Sequence, residues 1–276
     1  MGKVDTFERY EGLTGPWRSG GRESNLCLLP ATAEGYIKEG RMRGVGIGDG
    51  GTALLVDMGG FHKLYLSVGP GRGASVPPIG ATVVADVMYV EGRAFPDLIG
   101  EALTMSGFVR VPPFKLHAMG AQDAPAARAP GAPGYRLEPM ADRMVMQALA
   151  LVTDAFGGRA EHEPPDRAGM GRACGEGRGV CLIGPDGRVC GYCGWEYEGG
   201  RAACVIRHVV MAPGERGRGL ARSLLAGAVV GAGARSYRSW VAEGNAASER
   251  LHESVGFKGG ARRLVKYVRH GAGGLA

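Results

Sequence analysis

A run of arginines and glycines, Arg216-Gly217-Arg218-Gly219-Leu220-Ala221, is the part of the sequence best suited to bind a phosphate group. It follows an apolar segment over 205–211 that is typical of a buried strand, and it precedes leucines and alanines at helical spacing. The first N–H groups of a helix have no partner within the helix, and the helix dipole favours negative charge there. Glycines let a ligand approach that backbone closely. The sequence therefore predicts a diphosphate site made of backbone amides, with Arg216, Arg218 and Arg222 as charge partners.

A second segment follows at once and has the same α/β character. Residues 236–241 indicate a strand, Glu243-Gly244-Asn245 interrupts it, and residues 246–255 have the spacing of a short amphipathic helix that ends at Gly256-Phe257. Asn245 is therefore placed to cap that helix.

Together the two segments resemble the GNAT superfamily of acyl-CoA-dependent N-acyltransferases. The family's signature Arg/Gln-x-x-Gly-x-Gly/Ala is matched by Arg216, Gly219 and Ala221. Its second signature, Asn-x-x-Ala-x-x-Leu-Tyr-x-x-x-Gly-Phe, is matched by Asn245, Leu251, Gly256 and Phe257, with Ser248 in place of the alanine and His252 in place of the tyrosine. The resemblance covers about half of the chain, from residue 135 onward.

The resemblance implies that a primary amine attacks the thioester of an acyl-CoA, most often acetyl-CoA. In the family a splayed strand edge polarises the thioester carbonyl in the manner of an oxyanion hole, and here that edge would be residues 209–211. Asn245 would cap its helix, contact the CoA arm, or do both. The implied cofactor-binding residues are Val209, Val210, Met211, Arg216, Gly217, Arg218, Gly219, Leu220, Ala221, Arg222 and Asn245.

Proton transfer needs a base for the amine, whose pKa is near ~10, and an acid for the leaving thiolate. The family often uses a strand glutamate or a water chain as the base, and the candidates here are Glu196, Glu198 and His208. His252 occupies the slot of the usual tyrosine acid. It is either that acid or a residue of the helix surface, in which case water protonates the thiolate. Tyr267 is a more distant candidate for the acid.

Composition excludes several classes of protein. The chain has 276 residues, 45% of them hydrophobic, which is enough for a substantial core. The net charge is +6, but no block of five or more like charges occurs, so a nucleic-acid partner is not expected. No apolar run is long enough to span a membrane, and six cysteines without a secretory signal indicate reduced thiols and a cytoplasmic protein. Cys190 and Cys193 fall within a strand pattern, where residues three apart face opposite sides, so no metal site is expected.

The two halves of the chain share an order of elements, which predicts a tandem α/β (α+β) protein. In each half a strand is followed by Glu-Gly-x, a helix, Gly-Phe and a second strand. The Glu-Gly-x motif begins at Glu91 in the first half and at Glu243 in the second, although chance convergence of common elements is an alternative. Each half is expected to form a mixed, mostly antiparallel twisted sheet flanked by helices. The expected domains are a leader over 1–25, a degenerate GNAT-like domain over 26–121, a linker over 122–134, a GNAT acetyltransferase domain over 135–270 and a tail over 271–276.

The first half carries no cofactor loop in this interpretation. Its Gly69-Pro70-Gly71-Arg72-Gly73 run precedes Pro77-Pro78, which disfavours a helix, so the run is interpreted as a surface loop. In the second half, residues 161–179 are interpreted as a long loop beside the acceptor site. The expected function is an N-acetyltransferase for a small-molecule amine, an amino acid or a peptide, and the alternative is a CoA-binding or sensing module with little catalysis. The sequence leaves open whether the chain forms a homodimer.

Overall fold

The computed structural model describes residues 2–18, 23–26, 30–47, 51–59, 61–69, 75–125, 132–198 and 201–271. In chain order, the α-helices of this described part are α1 (Phe7–Thr14), α2 (Pro30–Lys38), α3 (Asp97–Met105), α4 (Asp142–Phe156), α5 (Arg167–Gly175), α6 (Leu220–Ala232) and α7 (Ala246–Val255). The strands are β1 (Gly2–Lys3), β2 (Glu23–Ser24), β3 (Met42–Ile47), β4 (Gly51–Asp57), β5 (His62–Val68), β6 (Val83–Val90), β7 (Val109–Arg110), β8 (Phe114–Gly120), β9 (Arg136–Pro139), β10 (Gly179–Ile183), β11 (Val189–Glu198), β12 (Ala203–Met211), β13 (Ser236–Ala242) and β14 (Lys258–Arg269).

The chain divides into two compact units. Unit 1 comprises Met1–Pro113 together with Arg262–Ala276, and unit 2 comprises Phe114–Ala261. Both units have the mixed, mostly antiparallel sheet with flanking helices that the sequence predicted, which confirms the fold class.

Unit 1 is a sheet in the order β1-β3-β4-β5-β6-β14, with β2 paired to β5 and β7 paired to β14 outside that order. Among the described strand pairs of this unit, only β5 and β6 run parallel. Successive side chains of a strand point to opposite faces, and β4 shows the result. Leu54 and Val56 pack in the cluster that contains residues of α1 and α2, whereas Ala53 and Leu55 pack in the cluster that contains α3.

Unit 2 is a sheet in the order β8-β13-β12-β11-β10-β9, in which β12 and β13 are the one parallel pair among the described strands. The same alternation divides β10 between two apolar clusters. Leu182 packs with α6, and Cys181 and Ile183 pack with α4 and with Met170 of α5. The functional segments singled out in the sequence, α6, β13 and α7, all belong to this unit.

The boundaries of the two units differ from the domain boundaries expected from the sequence. β14 pairs with β6 over Arg262–Arg269, so the C-terminal strand completes the sheet of unit 1. β8 pairs with β13 along its whole length, from Phe114↔Ala242 to Gly120↔Ser236, so a strand from before the expected linker completes the sheet of unit 2. Local sequence pattern indicates that a strand exists, but it does not indicate which sheet the strand joins.

Two segments expected to be irregular contain regular structure. Within the expected leader, Tyr10 of α1 is buried, and β1 pairs with β3. Within the expected loop over 161–179, α5 begins after Asp166, whose Oδ1 accepts a hydrogen bond of 2.6 Å from the amide of Gly169. Three glycines weaken the helical pattern of α5, and this N-cap together with burial of Met170 offsets them.

Other local predictions are confirmed. The helix expected over 246–255 has those bounds, and the strand expected over 205–211 is the greater part of β12. Most of the run from Gly69 to Gly73, the middle of the expected linker (126–131) and most of the expected tail (272–276) lie outside the described residues.

Candidate acyl-CoA site and active site

The two parallel strands of unit 2 pair over only part of their length. The pairing of β12 with β13 runs from Ala203↔Ser236 to Ile206↔Ser239 and stops there. At the same level β12 has a bulge, because Gly194 of β11 pairs with His208 and Trp195 pairs with Ile206, which leaves Arg207 as an extra residue. Beyond the bulge, β12 and β13 form no pair in the part of the chain that the structure describes. On this side the backbone edge of residues 209–211 pairs with no described strand and is open to a ligand with amide groups, except at the carbonyl oxygen of Met211, which accepts from Arg216.

The N-terminus of α6 follows β12 closely. Gly219 is its N-cap, with φ of 75°, and no side chain of a described residue caps the helix. Gly217 also has a positive φ, 77°. A Cβ added at either glycine would meet no atom within 4 Å, so the two glycines meet a conformational requirement and border open space. Such a helix start, with uncapped amides and room in front of them, fits the diphosphate of a nucleotide cofactor.

The three arginines of this region have different surroundings. The Nε of Arg216 donates to the carbonyl oxygen of Met211 at 3.2 Å, which ties the loop to the end of β12. Arg218 donates to Glu215 at 2.5 Å and to the hydroxyl of Tyr135 at 2.6 Å. The guanidinium of Arg222 is exposed and forms no ion pair with any described residue. Arg218 is thus engaged by Glu215, whereas neither Arg216 nor Arg222 forms an ion pair with a described residue.

Asn245 has the expected capping role. Its Oδ1 accepts a hydrogen bond of 3.1 Å from the amide of Ser248, in the first turn of α7. This contact fixes where α7 begins, and an amide nitrogen on the same exposed side chain is left for other contacts.

His252 lies inside unit 2 instead of on a helix surface. Its side chain is only 2% exposed, with the ring of Phe257 at 5.3 Å and the ring of His117 at 5.9 Å. Burial lowers its pKa from 6.5 to about 4, so the imidazole is neutral at pH 7. Nδ1 lies 2.8 Å from the carbonyl oxygen of Ser248 and must carry the ring's single hydrogen to bond it. Nε2 then has no proton to give, which argues against His252 as the acid.

His208 is buried on the other side of the site. Its Nε2 lies 3.1 Å from the carbonyl oxygen of His162, and the ring of Phe156 packs at 5.6 Å. Burial, aided by the charge of Arg207, lowers the pKa of His208 to about 4. An imidazole with so low a pKa holds a transferred proton poorly at pH 7, which weakens its case as the base.

The remaining candidates are two glutamates and a tyrosine. Glu196 is largely exposed, and its nearest charge is Arg207, at 3.8 Å. Glu198 is bound by Arg238 at 2.9 Å. Tyr267 belongs to unit 1, where its ring is buried in the core, so the expectation that it serves as a reserve acid has no support in the structure of unit 2.

A buried ion pair at the β12 bulge was not found by sequence reasoning. The carboxylate of Glu163 is almost fully buried and pairs with the guanidinium of Arg207. Glu163 is also the one described non-glycine residue with positive φ, 51°. The two residues are 44 positions apart, and the bulge breaks the strand alternation, so no local pattern signals the pair. The segment that carries Glu163 was nevertheless the one expected to border the acceptor site.

The comparison with known proteins bears on residues 146–257, where the model of the acetyltransferase (GNAT) family matches. Residues 146–257 belong to the GNAT family. The match includes β10 to β13, α6 and α7. It therefore includes the two parallel strands that separate, β12 and β13, and the helix whose N-terminus has no side-chain cap, α6. No curated protein is significantly similar in sequence.

Solved structures show that the likeness extends across both units. A GCN5-related N-acetyltransferase from Sphaerobacter thermophilus is 18% identical, with a TM-score of 0.53 over 80% of this chain and 78% of its own. A GCN5-related N-acetyltransferase from Kribbella flavida is 17% identical, with a TM-score of 0.54 over 86% of this chain and 92% of its own. A tandem GNAT protein from the clavulanic acid biosynthesis pathway is 17% identical, with a TM-score of 0.53 over 81% of each chain. At such identities the likeness shows a shared fold.

Two further observations concern what the described residues lack. Among them, no three histidine, cysteine, aspartate or glutamate side chains cluster in a way that could hold a metal ion. No helix in the described part of the chain has both the length and the apolar character needed to cross a membrane.

Proposed function

We propose that the protein is an N-acyltransferase that moves an acetyl group from acetyl-CoA to a primary amine of a small molecule, an amino acid or a peptide. The observation that carries this proposal is the parting of β12 from β13 beside a helix whose N-terminus has no side-chain cap. The first element offers backbone groups to the pantetheine amides, and the second offers N–H groups to the diphosphate. GNAT membership of residues 146–257 supports the same chemistry.

The residues of unit 2 hold and orient the reactants. The amides from Gly217 to Ala221 bind the diphosphate, and Arg222 adds a positive charge. When bound, acetyl-CoA supplies an activated acyl group as its thioester. The backbone edge of residues 209–211 places that group and donates to its carbonyl oxygen, which stabilises the charge that develops on this oxygen as the amine attacks.

The base that receives the amine proton is assigned to Glu196, acting directly or through water. The alternatives are weaker: the ring of His208 is buried with Nε2 on the carbonyl oxygen of His162, whereas Glu196 is exposed to water, and Glu198 is held by Arg238. Because His252 has no proton on Nε2, the leaving thiolate takes its proton from solvent.

The proposal is tested by measuring thiol release from acetyl-CoA with a panel of amines. We expect release with at least one amine and a fall of about a hundredfold or more in kcat for Glu196→Gln, the lower end of what a general base contributes. Glu198→Gln is the matched control, two positions away on the same strand, and it should leave kcat within about threefold.

A second function is favoured by one observation. The buried, neutral His252 replaces the family's usual acid, so the fold could bind CoA as a sensor without turnover. Binding of acetyl-CoA in calorimetry with no thiol release for any amine would support the sensor and overturn the transferase.

A further inference from the structure

The parallel strands of unit 1 also part from each other. β5 and β6 pair only at His62↔Val83 and Lys63↔Val84, and beyond Lys63 the pairing ends. This is the arrangement seen for β12 and β13 in unit 2, where the parted edge is the proposed acyl-CoA slot. Unit 1 therefore has a strand cleft of the same kind.

The edge of β5 that faces this cleft can be identified from its hydrogen bonds. The amide of His62 donates toward the β6 side, to the carbonyl oxygen of Thr82 at 2.8 Å. Backbone groups of alternate residues in a strand point to the same edge, so those of Leu64 and Leu66 face the cleft as well.

A segment of the chain itself occupies this edge. The Oδ1 of Asn25 accepts from the amide of Leu66 at 2.7 Å, and its Nδ2 donates to the carbonyl oxygen of Leu64 at 3.0 Å. The backbone amide of Asn25 donates to the carbonyl oxygen of Leu66 at 3.2 Å. The pairing continues at Ser24↔Ser67 and Glu23↔Val68, antiparallel to β5. Asn25 is 7% exposed, whereas Glu23 is half-buried and Ser24 is exposed, so it is the side chain of Asn25 that is buried against this edge.

The segment also brings a negative charge to a helix start. The carboxylate of Glu23 accepts a hydrogen bond of 3.1 Å from the amide of Ile99, in the first turn of α3, whose N-cap residue makes no side-chain cap. In the order of elements α3 corresponds to α7 and not to α6, so this contact anchors the segment and is not the counterpart of the diphosphate contact. The amide-bearing extended chain along the parted strand is the contact that unit 1 shares with the acyl-CoA contact proposed for unit 2.

We infer that residues 23–25 are the built-in occupant of the strand cleft in unit 1, so that this unit takes up no acyl-CoA and the chain binds one acyl-CoA, in unit 2. The statement about the occupant stands on unit 1 alone, and the statement about stoichiometry rests on the proposed function.

The occupant is tested by a cross-link in the full chain. Ser24 and Ser67 are direct partners, and their neighbours make the hydrogen bonds, so they form a non-hydrogen-bonded pair whose Cα atoms are close enough for a disulfide. The variant Ser24→Cys/Ser67→Cys, treated with oxidised glutathione, should form this disulfide in most molecules, as read by peptide mass mapping. Ser24→Cys alone is the control. Absence of the cross-link in the folded double variant would overturn the inference.

Hydrogen exchange and calorimetry give independent readings. Asn25→Ala should speed exchange at the Leu66 amide by tenfold or more. Ser24→Ala removes a 3.3 Å contact to the Leu66 carbonyl oxygen and a 3.1 Å hydrogen bond from the amide of Leu26, but it leaves the bond to the Leu66 amide, so it should change that exchange by less than about threefold. Equal exchange in Asn25→Ala and in the unchanged chain would contradict the inference.

Titration with acetyl-CoA should give one site per chain, and Gly219→Glu in unit 2 should abolish it. Two sites, or one site surviving in Gly219→Glu, would show that unit 1 is open and overturn the inference. If the unchanged chain binds none, the proposed function fails, while the cross-link and the Leu66 exchange still decide the occupant.

Discussion

At the scale of single residues, the structure gives two buried histidines surroundings that the sequence motifs do not predict. His208 and His252 are both less than a tenth exposed, and each has one ring nitrogen on a backbone carbonyl oxygen. Desolvation disfavours the charged imidazolium at both positions. The two histidines therefore affect mainly the stability of the fold, and at neutral pH they are poor general acids and bases.

The lowered pKa values predict a dependence of stability on pH. The unfolded chain protonates each histidine near pH 6.5, and the folded chain only near 4. Above pH 6.5 neither state binds these protons, so there is no effect. As the pH falls from 6.5 to about 4 the unfolded state binds more protons, and the free energy of unfolding should fall by roughly 3 kcal/mol per histidine at most.

Urea unfolding at several pH values in this range checks that prediction. The variant His208→Gln/His252→Gln should show a flatter dependence than the unchanged protein, because the carboxylates common to both cancel in the comparison. Parallel curves for the two proteins would contradict it.

Removal of the His252 side chain should affect folding more than chemistry. We expect His252→Gln to keep kcat within about threefold, because the neutral ring has no Nε2 proton to transfer. The apparent melting temperature, measured beside kcat, separates the loss of buried packing from any loss of catalysis. A fall in kcat of a hundredfold in a folded variant would restore His252 as the acid.

The sequence alone predicted the backbone elements of the candidate site, but it did not predict which residues could transfer protons there. Gly217 and Gly219 could be identified because their spacing after a strand is local. The role of His252 could not, because its pKa depends on burial beside Phe257 and His117, which come together only in the folded unit. The ion pair of Arg207 and Glu163 could not be predicted for the same reason.

At the scale of elements, the start of α6 depends on backbone conformation. In Gly219→Ala the left-handed conformation costs about 1–2 kcal/mol of stability, and the added methyl group projects into the space in front of the helix. We expect that loss of stability and a loss of acetyl-CoA affinity of about tenfold. Gly214→Ala is the matched control, because Gly214 is also exposed with nothing within 4 Å but does not have a positive φ.

Urea unfolding and calorimetric titration of both variants check this prediction. Equal stabilities and affinities for the two alanine variants would mean that the conformation of Gly219 is unimportant for the site. The elements themselves were largely predictable where periodicity is strong, as in α4 and α7. The elements were not predictable where glycines weaken the helical pattern, as in α5, or where a bulge shifts the strand alternation, as at Arg207.

At the scale of the whole molecule, each unit is completed by a strand from the far side of the expected linker. β8 supplies seven partners to β13, from Phe114 to Gly120. A truncated chain that begins at residue 135 matches the GNAT resemblance but exposes this edge of β13, and unpaired edges promote aggregation.

We therefore expect a chain that begins at residue 114 to be more soluble, and to melt at a higher temperature, than one that begins at residue 135. Both chains lack residues 1–113 of unit 1, so the comparison isolates residues 114–134. Equal solubility and melting temperature would show that β8 is dispensable to unit 2. The sequence predicted two related halves. It did not predict that each unit takes one strand from the other half, because that pairing joins residues far apart in the chain and no local pattern indicates it.

The central claim is that the parted edge of β12 and the start of α6 together bind acyl-CoA. Residue-resolved hydrogen exchange with and without saturating acetyl-CoA tests it most directly. We predict slower exchange at Leu220, Ala221 and residues 209–211, with β5 of unit 1 unchanged. Binding that slows exchange only elsewhere, or no change anywhere in the protein, would contradict the account.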